Sequence, residues 1–130
     1  MNSLGIKVAL VDDSPVIRSS IQEILSLWGY TIVLKAIHGK DLFRQLCTAN
    51  APDICITDLN MPVMNGYETI KELKAKWPGI KIIAFSITNS KKEEEKALEA
   101  GAHAFVSKLS SITELQQVLQ SMHQHADSGC

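Results

Sequence analysis

Short apolar stretches alternate with stretches of helical period from one end of the chain to the other. The apolar stretches have few polar positions, and such a pattern is typical of strands that are buried on both faces of a sheet. Five strands are predicted, at residues 6–11, 31–36, 54–57, 80–85 and 102–106. Strict alternation of strands and helices predicts an α/β fold, with a parallel sheet that is covered by helices on both faces.

The helices are predicted from their start and stop signals. Ser14 and Pro15 supply an N-cap and a first-turn proline, and the apolar stripe that follows them ends at Gly29. Later helices begin at Ser or Asn residues that have Glu three positions further on, which is a capping-box pattern. The five helices are predicted at residues 14–28, 41–48, 65–77, 90–101 and from 111 onward. We predict a single domain over residues 1–130, with an ordered core at about 5–123 and a polar, frayed tail at 124–130.

Composition narrows the class of protein. An apolar fraction of 45% and a charged fraction of 21% are typical of a soluble globular domain. A formal net charge of -1 gives no electrostatic basis for direct nucleic-acid binding by this domain or for binding to a membrane surface. Three cysteines without metal-ligand spacing, together with no signal-peptide pattern, predict a cytoplasmic protein.

Polar side chains that could carry chemistry follow four of the five predicted strands. The first strand ends in Asp12 and Asp13, the third in Asp58, the fourth in Ser86, and the fifth is followed by Lys108. Ligands of open parallel sheets bind outside the carboxyl ends of the strands. We therefore expect these five residues to lie together at one edge of the sheet.

Electrostatics indicates what such an edge would bind. Two carboxylates about 4 Å apart repel each other by roughly 4 kcal/mol at an effective dielectric constant of 20, and a third adds to this cost. A divalent cation removes the repulsion, and oxygen ligands without His or thiolate favour Mg²⁺. A metal, a carboxylate nucleophile and a lysine are the parts of an in-line phosphoryl transfer. Taken singly, each residue has an ordinary alternative: a helix cap or turn for the aspartates, a loop hydroxyl for the serine and a solvated side chain for the lysine.

Four motifs resemble those of bacterial response-regulator receiver domains, in the same order and at the same intervals. They are VALVDDSP, ITDLNMPVMNGYE, IIAFS and GAHAFVSK, and the resemblance covers about residues 5–122. It implies a flavodoxin-like, doubly wound sheet of five parallel strands in the order 2-1-3-4-5 with five helices. In such a domain Asp58 would be the phosphoacceptor. Mg²⁺ would be held by Asp12, Asp13 and Asp58, most directly by Asp13, and by the backbone carbonyl of Asn60.

The resemblance also implies roles for the residues after the last two strands. Lys108 would contact the phosphoryl group, Ser86 would move toward it, and Phe105 would turn inward as the aromatic switch residue. Many receivers have proline after the lysine, in a cis bond, whereas this chain has Leu109. We therefore predict a trans peptide at this position, because a non-proline cis bond costs about 2.5–4 kcal/mol. Lysine without this proline is most similar to receivers fused to LuxR-type helix-turn-helix domains.

As a receiver, the chain would be a phosphorylation-dependent signalling switch that catalyses only its own phosphorylation and dephosphorylation. The implied partners are a histidine kinase or a phosphotransfer protein, and the resemblance also allows a homodimer on phosphorylation. The output would be transcription regulation through a C-terminal DNA-binding domain, or protein–protein interaction by a stand-alone receiver. A Mg²⁺-dependent phosphatase with an aspartyl nucleophile is a weaker alternative, because such sites need a second acid where this chain has Asn60.

The histidines are not spaced as a metal site. His123 and His125 are two positions apart and cannot share one face of a helix. We expect all four histidines, which also include His38 and His103, to lie at the surface.

Overall fold

The computed structural model describes residues 5–128, and the side chains of residues 5–123. Five strands alternate with five α-helices, as the sequence predicts. The strands are β1 (Lys7–Val11), β2 (Thr31–Ala36), β3 (Ile54–Thr57), β4 (Lys81–Ser86) and β5 (Ala104–Ser107). The helices are α1 (Pro15–Leu27), α2 (Gly39–Gln45), α3 (Gly66–Lys76), α4 (Lys91–Ala100) and α5 (Ile112–Ser128), with a short 3₁₀ helix at Thr48–Asn50.

All neighbouring strands are parallel, and their order is β2-β1-β3-β4-β5. The predicted flavodoxin-like topology is therefore confirmed. One core lies between the sheet and helices α1 and α5, where Leu25, Leu115 and Leu119 are fully buried. The other lies under α2, α3 and α4, where Ile70 and Leu73 are fully buried. No helix in the described part of the chain is long and apolar enough to cross a membrane.

Several element ends differ from the prediction for identifiable reasons. Helix α2 begins at Gly39 rather than at residue 41, because the Nδ1 atom of His38 accepts a hydrogen bond from the Asp41 N–H at 3.1 Å and caps the helix. Strand β5 begins at Ala104 rather than at residue 102, because the N–H of Ala102 still donates to the Ala97 carbonyl at the end of α4. The backbone of α5 is helical to Ser128, and the rest of the predicted frayed tail, residues 129 and 130, lies outside the described residues.

The predicted capping box is complete at the start of α3, whereas at the start of α4 only one of its two hydrogen bonds forms. Asn65 and Glu68 exchange both hydrogen bonds at the start of α3. At α4 the Ser90 hydroxyl accepts from the Glu93 N–H at 3.4 Å, but the Ser90 N–H donates to the Thr88 hydroxyl instead of to Glu93. The Glu93 carboxylate is therefore free to make another contact.

The prediction that all four histidines are surface residues is wrong for two of them. His38 is 9% exposed because it caps α2, and His123 is 3% exposed. The Nε2 atom of His123 lies 3.1 Å from the hydroxyl of buried Tyr30, so the imidazole has a hydrogen-bonding partner in the core. His103 is exposed as predicted, and the side chain of His125 lies outside the described residues.

Candidate functional site

Three carboxylates meet at the carboxyl edge of the sheet, where the sequence places them. Asp12 and Asp13 follow β1, and Asp58 follows β3, the strand that pairs with β1. One carboxylate oxygen from each residue lies within 4.8 Å of the other two. Asp12 and Asp58 are buried, whereas Asp13 is exposed. The arrangement combines two preorganised carboxylates with a third that solvent can reach.

Backbone and side-chain hydrogen bonds hold Asp12 in place. Its N–H donates to the Ala36 carbonyl at 3.0 Å, and its Oδ1 accepts from the Ser14 N–H at 2.9 Å. The second carboxylate oxygen, Oδ2, accepts from Lys108 Nζ at 2.7 Å. Ser14 has two functions, since its hydroxyl also accepts from the Ile17 N–H and caps α1.

The Asp58 carboxylate is held by the loop that follows it. Its Oδ1 accepts from the Leu59 N–H at 2.7 Å and from the Asn60 N–H at 3.5 Å. Burial raises the pKa of Asp58 above its ordinary value, Lys108 and the two backbone N–H groups lower it, and the Asp12 carboxylate raises it further. The net shift of the Asp58 pKa is upward. The effects of burial and of the Asp12 carboxylate therefore outweigh those of Lys108 and the two N–H groups.

Lys108 joins two of the three carboxylates. Its Nζ lies 2.7 Å from Asp12 Oδ2 and 3.4 Å from Asp58 Oδ2, and its side chain is only 14% exposed. The ammonium also lies 5.6 Å from the centre of the Phe85 ring. The Lys108 N–H donates to the Ser86 carbonyl, which ties the loop after β5 to the end of β4. The Lys108–Leu109 peptide is trans, as predicted.

Gly66 fixes the distance between α3 and the Asp58 loop. Its N–H donates to the Leu59 carbonyl at 2.9 Å, and a Cβ at this position would collide with the backbone carbonyl of Asp58. Only glycine allows the start of α3 to approach Asp58 this closely. The ends of β3 and α3 therefore position the acidic cluster together.

Ser86 lies at the end of β4, the strand beside β3, and Phe105 lies on β5, one strand further from the cluster. Ser86 is fully buried, and its hydroxyl has no hydrogen-bond partner among the described residues. A buried hydroxyl without a partner is costly unless a further group satisfies it. Phe105 is half-buried and packs against the core under α2–α4. The switch roles of Ser86 and Phe105 stay predictions, and so does the role of the Asn60 carbonyl as a metal ligand.

Arg18 is a residue of this site that the sequence reasoning missed. Its Nη1 donates to the backbone carbonyl of Asp12 at 2.6 Å. The sequence contained a signal for it. A cation close to a helix N-terminus is repelled by the helix dipole, so a cation at this position indicates another, favourable interaction. Arg18 is the fourth residue of α1, whose first turn has no acidic residue.

The donor set fits a hard divalent cation. Three carboxylates converge at the edge without an imidazole or thiolate among them, and this chemistry suits Mg²⁺ rather than a softer metal. Asp12, Asp13 and Asp58 are the residues that could hold such an ion. The same edge has the Lys108 ammonium beside the carboxylates and the unsatisfied Ser86 hydroxyl at the end of the neighbouring strand, and both groups suit an incoming oxyanion.

Comparison with known proteins identifies relatives over most of the chain. Residues 8–120 match the response regulator receiver domain family. The nitrate/nitrite response regulator protein NarL of Escherichia coli is 32% identical over 120 residues, which are 92% of this chain and 54% of NarL. The chemotaxis protein CheY1 of Helicobacter pylori is 36% identical over 104 residues, which are 78% of this chain and 84% of CheY1. The chain thus spans about half the length of one relative and most of the other.

Solved structures show the same architecture. A two-component response regulator of the LuxR family from Aurantimonas has a TM-score of 0.83 and 29% sequence identity, with 89% of this chain and 83% of that chain covered. A DNA-binding response regulator of the LuxR family from Staphylococcus aureus has a TM-score of 0.82 and 25% identity, with 90% and 98% covered. Among its structural relatives, therefore, the chain resembles receivers of LuxR-family regulators.

Proposed function

The chain belongs to the response regulator receiver domain family, and from this premise we propose that Asp58 is its phosphoacceptor. Receiver domains are phosphorylation-dependent signalling switches rather than classical enzymes, and they interact with histidine kinases or phosphotransfer proteins. The observation that carries the proposal is the position of Asp58, which shares one edge with Asp12, Asp13 and Lys108.

The chain's own residues supply most of what a phosphoryl transfer needs. The Leu59 N–H holds one oxygen of the Asp58 carboxylate, which leaves the other oxygen, Oδ2, directed toward Lys108. The Lys108 ammonium already lies between two carboxylates. It can therefore bind an oxygen of the arriving phosphoryl group and stabilise the negative charge on that oxygen. The buried Ser86 hydroxyl would gain its missing hydrogen bond from the same group, which gives the switch a physical driving force.

In this proposal Asp12, Asp13 and Asp58, with the Asn60 carbonyl, hold Mg²⁺. When bound, the ion neutralises charge on the carboxylates and on the transferring group. Asp12 keeps its orientation through Ser14 and Lys108, so it contributes a fixed oxygen, and exposed Asp13 contributes one that is open to solvent.

Labelling by a small phosphodonor tests the assignment. We expect the chain, incubated with Mg²⁺ and acetyl phosphate or phosphoramidate, to gain one phosphoryl group on Asp58, detected by intact mass and peptide mapping. Asp58→Asn should remain unlabelled, because it keeps the side-chain shape but lacks the nucleophilic carboxylate. Asp53→Asn is the matched control, since Asp53 lies at the opposite edge, just before β3, and should leave labelling unchanged. Wild-type labelling of Asp58→Asn would refute the proposal, and sustained phosphate release from many substrates would favour a phosphatase.

We further propose that a phosphoryl group on Asp58 changes the surface formed by α4, β5 and α5, with Ser86 and Phe105 as the switch residues. Two outputs are open: regulation of transcription by a longer protein, as the length of NarL would allow, and protein binding by a receiver alone, as the length of CheY1 would allow. The LuxR-family likeness favours regulation of transcription through a DNA-binding domain. The length of the reading frame that encodes this chain distinguishes the two.

A further inference from the structure

One hydrogen bond of the acidic edge comes from a residue that is neither a carboxylate nor a candidate phosphate ligand. Arg18 is half-buried on the first part of α1, where its N–H donates to the Ser14 carbonyl at 2.9 Å in the helix. Its guanidinium reaches back over this turn, and Nη1 donates to the Asp12 backbone carbonyl at 2.6 Å. A charged donor at this distance makes a stronger bond than a neutral one, and the planar guanidinium loses little freedom in making it.

The carbonyl that Arg18 binds belongs to the peptide between Asp12 and Asp13. The peptide on the other side of Asp12 is already held, because the Asp12 N–H donates to the Ala36 carbonyl at 3.0 Å. The Arg18 bond therefore fixes the second peptide plane and, with it, the direction in which the chain leaves Asp12. This matters most for Asp13, since its exposed carboxylate makes no hydrogen bond or ion pair with any residue in the described part of the chain.

We propose that Arg18 is a positioning residue for Mg²⁺ binding, one that aims the Asp13 carboxylate at the site by clamping the Asp12–Asp13 peptide. The inference rests on the proposed function, in which these aspartates hold the ion. Arg18 does not bind the ion. Groups that orient metal ligands typically change metal affinity by about 10- to 100-fold when they are removed.

The charge of Arg18 acts in the opposite direction to its hydrogen bond. A guanidinium close to the acidic edge repels a divalent cation, so removal of the charge alone would tighten Mg²⁺ binding. Loss of the clamp would weaken it. The sign of the change in affinity therefore separates a positioning role from an electrostatic one.

The experiment is a calorimetric titration of the chain with Mg²⁺, without any phosphodonor. We expect Arg18→Met to weaken Mg²⁺ binding by about 10-fold. Arg18→Lys keeps the charge and one donor and should restore most of the affinity. Arg44→Met is the matched control, because Arg44 lies exposed on α2, and its Kd should equal that of the wild type. Should Arg18→Met not fold, Arg18→Ala, which also has no side-chain donor and favours the helix, replaces it with the same expected loss.

An unchanged or lower Kd in Arg18→Met overturns the inference. Asp13→Asn, titrated in parallel, separates this failure from failure of the proposed function. Loss of binding in Asp13→Asn with normal binding in Arg18→Met rejects only the role of Arg18. Normal binding in Asp13→Asn rejects the metal assignment itself.

Discussion

Val63 is strained at the level of its own backbone. It has a φ of 67°, a region that β-branched residues rarely adopt, and its side chain is 72% exposed, so little packing offsets the cost. The Met64 N–H donates to the Pro62 carbonyl at 2.7 Å, which closes a tight three-residue turn around Val63. We expect Val63→Gly to raise the free energy of unfolding by about 1 kcal/mol, because glycine has no Cβ to clash at a positive φ, as urea denaturation would measure.

The control for this prediction is Val63→Thr. Threonine keeps the branched Cβ, and so the strain, but removes apolar surface. Val63→Thr should therefore leave the free energy of unfolding close to that of the wild type. Equal stabilisation by Thr and Gly would attribute the gain to the loss of exposed apolar surface and contradict the role of backbone strain.

His103 gives the fold a pH dependence. Its Nδ1 accepts a hydrogen bond from the Ile82 N–H at 3.0 Å, which requires a ring nitrogen without a proton. Burial, and then Lys74 and Lys81, lower the pKa of His103. Between this lowered value and the ordinary one of about 6.5, the unfolded chain binds more protons than the folded one. The contribution of His103 to stability is therefore complete above about pH 6.5 and is lost as the pH falls through this window.

Replacement by asparagine tests the contribution of His103. The Oδ1 atom of Asn can accept from Ile82 without titrating, so His103→Asn should lose less stability than the wild type when the pH is lowered from about 7.5 to about 5.5. Urea denaturation at a series of pH values measures the difference. Parallel pH profiles of the two proteins would show that another group is responsible.

At the scale of elements, the half-formed capping box of α4 has a structural reason. The Glu93 carboxylate lies close enough to Tyr67 to act on its hydroxyl, since burial and then this carboxylate raise the pKa of Tyr67. One turn later, Lys96 Nζ lies 4.4 Å from the centre of the Tyr67 ring. Glu93 and Lys96 of α4 thus both lie against Tyr67. Tyr67 is the second residue of α3, the helix that follows the Asp58 loop.

A double-mutant cycle measures this link between α3 and α4. We expect Lys96→Met to cost about 0.5 kcal/mol of unfolding free energy in the wild type, because the cation–π contact is lost while the aliphatic stem remains. In a Tyr67→Leu background the same change should cost nothing. Lys92→Met, an exposed lysine on the same helix, is the control and should be neutral in both backgrounds. Equal costs of Lys96→Met in the two backgrounds would contradict a contact with the ring.

The elements were predictable where local rules act alone. Apolar runs located all five strands to within two residues at each end, and Asn65 with Glu68 located the start of α3, because both signals depend on residues close in sequence. Glu93 was misassigned since its partner, Tyr67, comes from another helix. His123 follows Leu119 by four positions and so lies on the buried face of α5. It was misassigned because its hydrogen-bonding partner in the core, the Tyr30 hydroxyl, is distant in sequence.

For the whole molecule, topology explains why the convergence of the site's side chains was predictable from sequence. Parallel strands bring their carboxyl ends to one edge, so Asp12, Asp58 and Lys108 meet although 96 residues separate the first from the last. Distances, burial and the direction of the Asp58 pKa depend on packing and were not predictable. The clamp by Arg18 was also missed: a cation near the start of α1 was a signal that this residue has a special role, but a side chain that binds a backbone carbonyl leaves no motif to show what the role is.

The same topology couples the site to the stability of the entire fold. Crowded carboxylates at the sheet edge destabilise the folded chain, and an ion that binds only the folded chain stabilises it by mass action. At a Mg²⁺ concentration tenfold above Kd we expect about 1.4 kcal/mol of added stability, or a rise in Tm of roughly 5 °C relative to EDTA. Thermal unfolding followed by circular dichroism measures the shift. Asp13→Asn should abolish most of it, whereas Asp41→Asn, a carboxylate outside the cluster, should retain it. A full shift in Asp13→Asn would place the stabilising ion elsewhere on the molecule.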